Sequence, residues 1–192
     1  MNVTQEDARE SLELVEDTTT RLRRAIAASY AGGLLILWGL IWVIGFASVH
    51  FLPRRAGHIF TALDLVGLVG TVLLVVRWPQ TASVRGTATT VVLRRMCVFW
   101  ALLFAYALAW IVLTSPLGGL QLCVFLCTVG MFGYTVIGLW SGSLFMLWLG
   151  LAVTALTFIG YYALPDHFYL WMSPTGGGAL LGTGLYIRIR WR

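Results

Sequence analysis

The sequence places one carboxylate, Asp64, in the middle of a long apolar stretch, residues 58–76. An acidic side chain in lipid is costly, and by default it marks a proton relay, a cation pathway or a charge partner. Counted from His58, the carboxylate lies about 9 Å inside the predicted helix. No second intramembrane acid or base completes a relay. In the structural alternative, Asp64 is protonated, bonds to a neighbouring helix, or snorkels towards Arg54 or Arg55.

All three histidines fall near predicted helix ends on one side of the membrane. His50 and His58 flank the first predicted outer loop, and His167 follows Asp166 in the last one. Three imidazoles and a carboxylate would suit a transition metal if these loops converge. Because their spacing matches no metal motif, we expect no metal site and retain these four residues only as candidates.

The three cysteines, Cys97, Cys123 and Cys127, all lie in apolar segments, where a free cysteine behaves as a small hydrophobic residue. Cys123 and Cys127 are four residues apart, and therefore share one helix face. Two thiols without a histidine or a further cysteine nearby make a poor metal site. The sequence therefore predicts a packing role for all three.

No residue set typical of an enzyme is present. The sequence has no serine–histidine–aspartate arrangement, no HExxH motif, no nucleotide-binding fingerprint and no pair of carboxylates within one apolar segment. The acidic residues are instead concentrated near the N-terminus. We therefore expect a protein that is not an enzyme, without catalytic residues and without a cofactor of its own.

Composition places the chain among integral membrane proteins. Of its 192 residues, 59% are hydrophobic and 11% are charged, and the mean hydropathy is +0.84. A soluble domain carries roughly 25% charged residues. Six apolar stretches approach the roughly 20 residues that a membrane-spanning helix needs. We therefore predict an all-α fold with six transmembrane helices, at about 25–51, 58–76, 96–115, 118–139, 144–164 and 168–187.

The sixth predicted span has two alternative starting points. Ser173 and Pro174 have the pattern of a helix N-cap and a first-turn proline, which would start the helix near residue 174. Residues 165–172, which are rich in aromatic side chains, would then lie along the membrane interface. In the other alternative the span starts near residue 168.

Residues 1–24 form the long polar segment of the chain, separate from the predicted six-helix bundle at 25–192. Apolar residues recur there at alternating spacings of four and three, which predicts an amphipathic helix. Its first part is acidic, so the negatively charged cytoplasmic leaflet would repel it. We therefore expect it to dock on another protein through a narrow stripe that includes Ala8, Leu12, Val15 and Leu22.

The arginines predict the orientation of the chain in the membrane. With the N-terminus in the cytoplasm, eleven arginines lie inside, and only Arg54 and Arg55 lie outside. Cytoplasmic loops carry the excess of basic residues in membrane proteins. The sequence therefore predicts a multi-pass protein of the bacterial cytoplasmic (inner) membrane with both termini in the cytoplasm.

Small residues at four-residue spacing predict close helix packing, at Ala101, Ala105 and Ala109 and at Gly178 and Gly182. The chain also has nine Trp, ten Phe and seven Tyr, which suit membrane interfaces and lipid contact. Contact with a pigment or with partner helices is the alternative use of these aromatic residues.

Three functions fit these observations. The first is a non-catalytic accessory subunit that helps assemble or stabilise a larger bacterial membrane complex, photosynthetic or respiratory. The second is a small channel or transporter that uses Asp64, and the third is a membrane sensor or regulator with a cytoplasmic docking helix. The expected partners are membrane lipids and other membrane subunits, and no nucleic acid.

Overall fold

The computed structural model of the protein describes residues 31–81 and 87–190. Within these ranges the chain is helical and contains no strand, so the predicted all-α class is confirmed. Five helices are long and apolar enough to cross a membrane. The predicted N-terminal amphipathic helix lies outside the described residues. The five helices are α1 (Ala31–Phe51), α2 (Ala56–Thr81), α3 (Thr87–Thr114), α4 (Gly119–Ser141) and α5 (Leu144–Ala163).

The chain continues after α5 as a helical segment that changes its hydrogen-bonding pattern twice. A 3₁₀ turn over Pro165–His167 leads into a short helix, α6 (Phe168–Met172). A π turn over Ser173–Gly177 joins α6 to α7 (Gly178–Arg190) without a break in helical backbone geometry. We refer to residues 168–190 as the C-terminal helical segment.

Of the two predicted starts, the structure agrees with the one near residue 168 and not with the one near Pro174, in which Ser173 would be the N-cap. Ser173 has helical backbone angles (φ −56°, ψ −59°), and its hydroxyl donates a hydrogen bond to the Val43 carbonyl of α1, at 2.9 Å. Proline lacks an N–H and normally interrupts a helix. Here Pro174 lies within the π turn, where the regular hydrogen-bonding pattern is already interrupted.

Helices α4 and α5 form a tight antiparallel hairpin. Gly142 ends α4 in the left-handed conformation (φ 68°), which glycine adopts without steric cost. The Ser143 hydroxyl then accepts the Met146 N–H and caps α5. A side chain at Gly138 would collide with the Leu147 backbone, so the two helices approach closely beside the turn.

Two buried clusters hold the helices together, one towards each end of the bundle. The cluster nearer the end of α1 that carries His50, here called the His50 end, joins α1, α4 and α6. The opposite cluster joins α1, α4, α5 and α7. Their buried members are Phe46, Val124, Cys127, Phe168 and Met172 at the His50 end, and Leu35, Met131, Leu149, Val153, Leu180 and Ile187 in the opposite cluster.

Helices α2 and α3 lie outside this core. In each of them only 6% of the most apolar window is buried, against 28–33% in α1, α4 and α5. Helix α2 contacts α1, where Gly67 leaves room for Trp38. Helix α3 contacts α4, where Gly133 leaves room for Trp100. Within the described ranges, α2 and α3 share almost no contact with each other.

Glycines bring the backbones of α1 and the C-terminal helical segment into contact. A Cβ added to Gly39 would lie 2.5 Å from the Leu181 nitrogen and 3.0 Å from the Gly177 carbonyl oxygen. Seven residues before Gly39, a Cβ on Gly32 would lie 3.2 Å from the Gly184 carbonyl oxygen. Gly32 and Gly39 thus face Gly184 and Gly177 in antiparallel order, and this set of contacts is the glycine interface.

The small residues that the sequence selects for helix contacts lie apart from the glycine interface. A Cβ on Gly178 or Gly182 would meet no atom within 4 Å, so these two glycines make no close contact within the described part of the chain, and their packing role stays a prediction. Ala101, Ala105 and Ala109 are exposed on α3, so the described part of the chain does not pack on this stripe.

The glycine interface predicts a sharp difference between two alanine substitutions in the same helix pair. Gly39→Ala must push apart two backbones and should lower the free energy of unfolding by about 1–3 kcal/mol. Gly182→Ala meets open space and should change it by less than about 1 kcal/mol. Unfolding in mixed detergent micelles, followed by tryptophan fluorescence, measures both. Equal effects of the two substitutions would contradict the glycine interface.

Candidate functional site

Asp64 lies deeper in its helix than the sequence predicts. Helix α2 begins at Ala56, two residues before His58, so the carboxylate is eight residues, or about 12 Å, inside the helix. If the hydrocarbon core of a bilayer, about 30 Å thick, begins at the start of α2, this position is close to the middle of the core. The side chain is half-buried.

The neighbours of Asp64 along α2 contact α1. Phe60, one turn before Asp64, packs its ring against Phe46 with centroids 5.6 Å apart. Two turns after Asp64, the Thr71 hydroxyl accepts a hydrogen bond from the Trp38 indole N–H, at 3.1 Å. The spacing of four and seven residues places Asp64 on the same side of α2 as these contacts. The carboxylate therefore borders the α1–α2 interface.

Among the described residues, no ion pair or hydrogen bond joins Asp64 to another side chain. Arg54 and Arg55 are exposed in the turn before α2 and form no ion pair with it. Gly57 leaves open space on the same helix, and the exposed Thr61 hydroxyl bonds to the Gly57 carbonyl at 2.9 Å. The half-buried carboxylate thus lacks the arginine partner that the sequence offered.

Two of the metal-ligand candidates come together at the His50 end. The rings of His50 and His167 have centroids 6.2 Å apart and are tilted by 37°. His58 and Asp166 are exposed and do not complete this pair: within the described ranges, no three of the side chains His, Cys, Asp and Glu are grouped. The predicted loops therefore converge only in part.

A thiol pair lies in the buried cluster at the His50 end. Cys127 is only 4% exposed, and the half-buried Cys123 lies one turn before it on the same helix face. Tyr169, from α6, packs against the same buried cluster. Cys97 is exposed on α3, apart from the pair. The four-residue spacing revealed the pair, whereas Tyr169 joins it only through the packing of α6.

A shallow groove of about 370 Å³ runs along the α4–α5 hairpin. Its hydroxyl groups are already engaged, because Thr135 and Thr154 each donate to a carbonyl of their own helix. Thr128 does the same to Phe125. The groove therefore offers an apolar surface to lipid and lacks a free polar group for recognition.

Three polar features are thus available for function: Asp64, the His50–His167 pair and the Cys123–Cys127 pair. They lie on different helices, and the residues that the structure describes contain no arrangement of nucleophile, base and acid. The sequence matches no protein-family model, no curated protein and no solved structure.

The environment of Asp64 predicts that an apolar replacement stabilises the isolated protein. Asp64→Leu removes an ionisable group without a described partner from an apolar helix and should raise the free energy of unfolding by about 1–3 kcal/mol. Thr61→Leu, one turn away, is the control and should change it by less than about 1 kcal/mol. Equilibrium unfolding in mixed micelles measures both. A loss of stability in Asp64→Leu would show that the carboxylate has a stabilising partner within the chain.

Proposed function

We propose that this protein is a non-catalytic accessory subunit that stabilises a larger complex in the bacterial cytoplasmic membrane, such as a respiratory or photosynthetic one. The observation that carries the proposal is the small burial of α2 and α3 within the chain. Two of the five candidate membrane-spanning helices thus leave many apolar side chains exposed to contacts outside the described part of the chain.

The exposed face of α3 favours protein over lipid as the neighbour of that helix. Ala101, Ala105 and Ala109 recur every four residues and are all exposed. In lipid there is no hydrophobic drive for helix association, so helices associate through the close approach that small residues permit. A partner helix seated on this alanine face would gain contacts that lipid chains make less well.

Asp64 supports the same proposal from the other peripheral helix. A half-buried carboxylate without a described partner is costly in lipid. A basic side chain from a neighbouring subunit would offset this cost. The chain itself has no lysine, and its described arginines lie towards the helix ends, so another protein is the natural source of such a group.

In this proposal the chain crosses the membrane six times, with both termini in the cytoplasm. The C-terminal helical segment supports the sixth span, because its 23 residues extend about 34 Å, enough to cross the hydrocarbon core. The arginine distribution supports the orientation. The N-terminal segment, 1–24, would contact a partner protein from the cytoplasmic side.

The second candidate function is a channel or transporter for protons or small cations. It is favoured by the depth of Asp64, about 12 Å inside α2, and by its half-buried position without a described partner. It requires a continuous polar path, and further acidic or basic groups at that depth are missing from the described helices. The regulatory alternative depends on residues 1–24, which lie outside the described residues.

The accessory-subunit proposal predicts that larger side chains at Ala101 and Ala105, on the alanine face of α3, release the protein from its complex. Ala101→Phe combined with Ala105→Phe should block the approach of a partner helix. Leu139→Phe, at a position that is 66% exposed on α4 and therefore outside this face, is the matched control. The measurement is mild solubilisation of native membranes, followed by native electrophoresis and subunit quantification. We expect the wild type and the control in a stoichiometric assembly, and the double variant largely outside it.

Two results would contradict this account. The first is that the wild-type protein migrates without any other subunit in stoichiometric amount on native electrophoresis, because the protein would then not belong to a complex. The second is proton or cation flux into liposomes that contain only this protein. If Asp64→Asn abolishes that flux while the chain stays folded, the result supports the transporter instead.

A further inference from the structure

We propose that Cys123 and Cys127 form a binding site for a soft monovalent metal ion, with Cu(I) as the natural candidate. The site lies in the buried cluster at the His50 end, between α4 and α6. It is independent of the proposed accessory function and concerns residues that the sequence alone assigns to packing.

The spacing of the two cysteines suits a bridging ion better than a disulfide bond. Side chains four residues apart on a helix have Cβ atoms about 5–6 Å apart. A disulfide needs Cβ atoms about 3.5–4.5 Å apart, so helix α4 would have to unwind to form one. Two metal–sulfur bonds of about 2.3 Å reach between sulfurs up to about 4.6 Å apart. The helix therefore holds the thiols at a separation that a metal ion can span.

The ligand number favours an ion that accepts two sulfur ligands. Structural zinc needs four ligands, and no third His, Cys, Asp or Glu joins the thiols among the described residues. Soft thiolate and thioether groups select Cu(I). The only other sulfur in this cluster is the thioether of Met172, which is completely buried there. The chemistry of the cluster therefore matches a soft ion of low coordination number.

The surroundings give the site both enclosure and access. Phe46 and Phe168 bury Cys127 on the side of the core. Cys123 is half-buried and lies about 6 Å from the start of α4, so an ion can reach it from that end of the bundle. Each thiol that binds the ion gives up its proton, so the apparent affinity should rise with pH.

The test is a titration of the purified full-length protein with Cu(I) under anaerobic, reducing conditions against a chromophoric Cu(I) chelator. The wild type should bind one Cu(I) per chain. Cys123→Ser and Cys127→Ser should each weaken binding by at least about 10- to 100-fold, because loss of a ligand costs no less than loss of its supporting contacts. Cys97→Ser is the matched control and should bind as the wild type does.

X-ray absorption at the copper edge of the wild type keeps the test independent of how the variants fold. It should show sulfur neighbours in the first coordination sphere. The proposal is overturned if the wild type binds no Cu(I) in competition with the chelator, or if the scatterers are nitrogen and oxygen alone. It is also overturned if Cys97→Ser removes binding while the two α4 variants retain it.

Discussion

The backbone contact between α1 and the C-terminal helical segment is the constraint on which the rest of the structure depends. Four glycines allow it, with Gly32 and Gly39 on α1 facing Gly184 and Gly177. Because a membrane supplies no hydrophobic drive between helices, close backbone packing is the main source of their attraction. The contact fixes the two helices in antiparallel order. It also places His50 beside His167, and it lets both buried clusters form between the same elements.

The π turn is what allows the C-terminal helical segment to follow α1 past Pro174. The proline lacks a backbone donor, and the hydroxyl groups on both sides of it donate to carbonyls. The Thr175 hydroxyl donates to the Trp171 carbonyl, at 2.6 Å, and the Ser173 hydroxyl donates across to α1. The Trp171 indole N–H donates to the Leu156 carbonyl, at 3.0 Å, and so ties α5 to the same turn. An irregular stretch of helix is thus held on two sides.

The helical class and the apolar helices could be predicted from sequence because lipid requires long apolar segments. The contacting glycines could not. Spacing of four residues selected Gly178 and Gly182, whereas Gly177 and Gly184, seven residues apart, contact α1, because spacing alone does not show which face of a helix docks on its neighbour. The depth of Asp64 was underestimated because α2 begins before His58. The proximity of His50 and His167, and the packing of Tyr169 against the buried cluster that contains Cys127, depend on tertiary packing that no local pattern encodes.

The central claim is that the C-terminal helical segment crosses the membrane antiparallel to α1. Accessibility of single cysteines to a membrane-impermeant thiol reagent tests it most directly. Asp166→Cys and Arg190→Cys would each be introduced into a chain whose three native cysteines are replaced by serine. The account predicts that the cysteine at 166 reacts in intact cells and that the one at 190 reacts only after permeabilisation. Reaction of both from the same side of the membrane would contradict it.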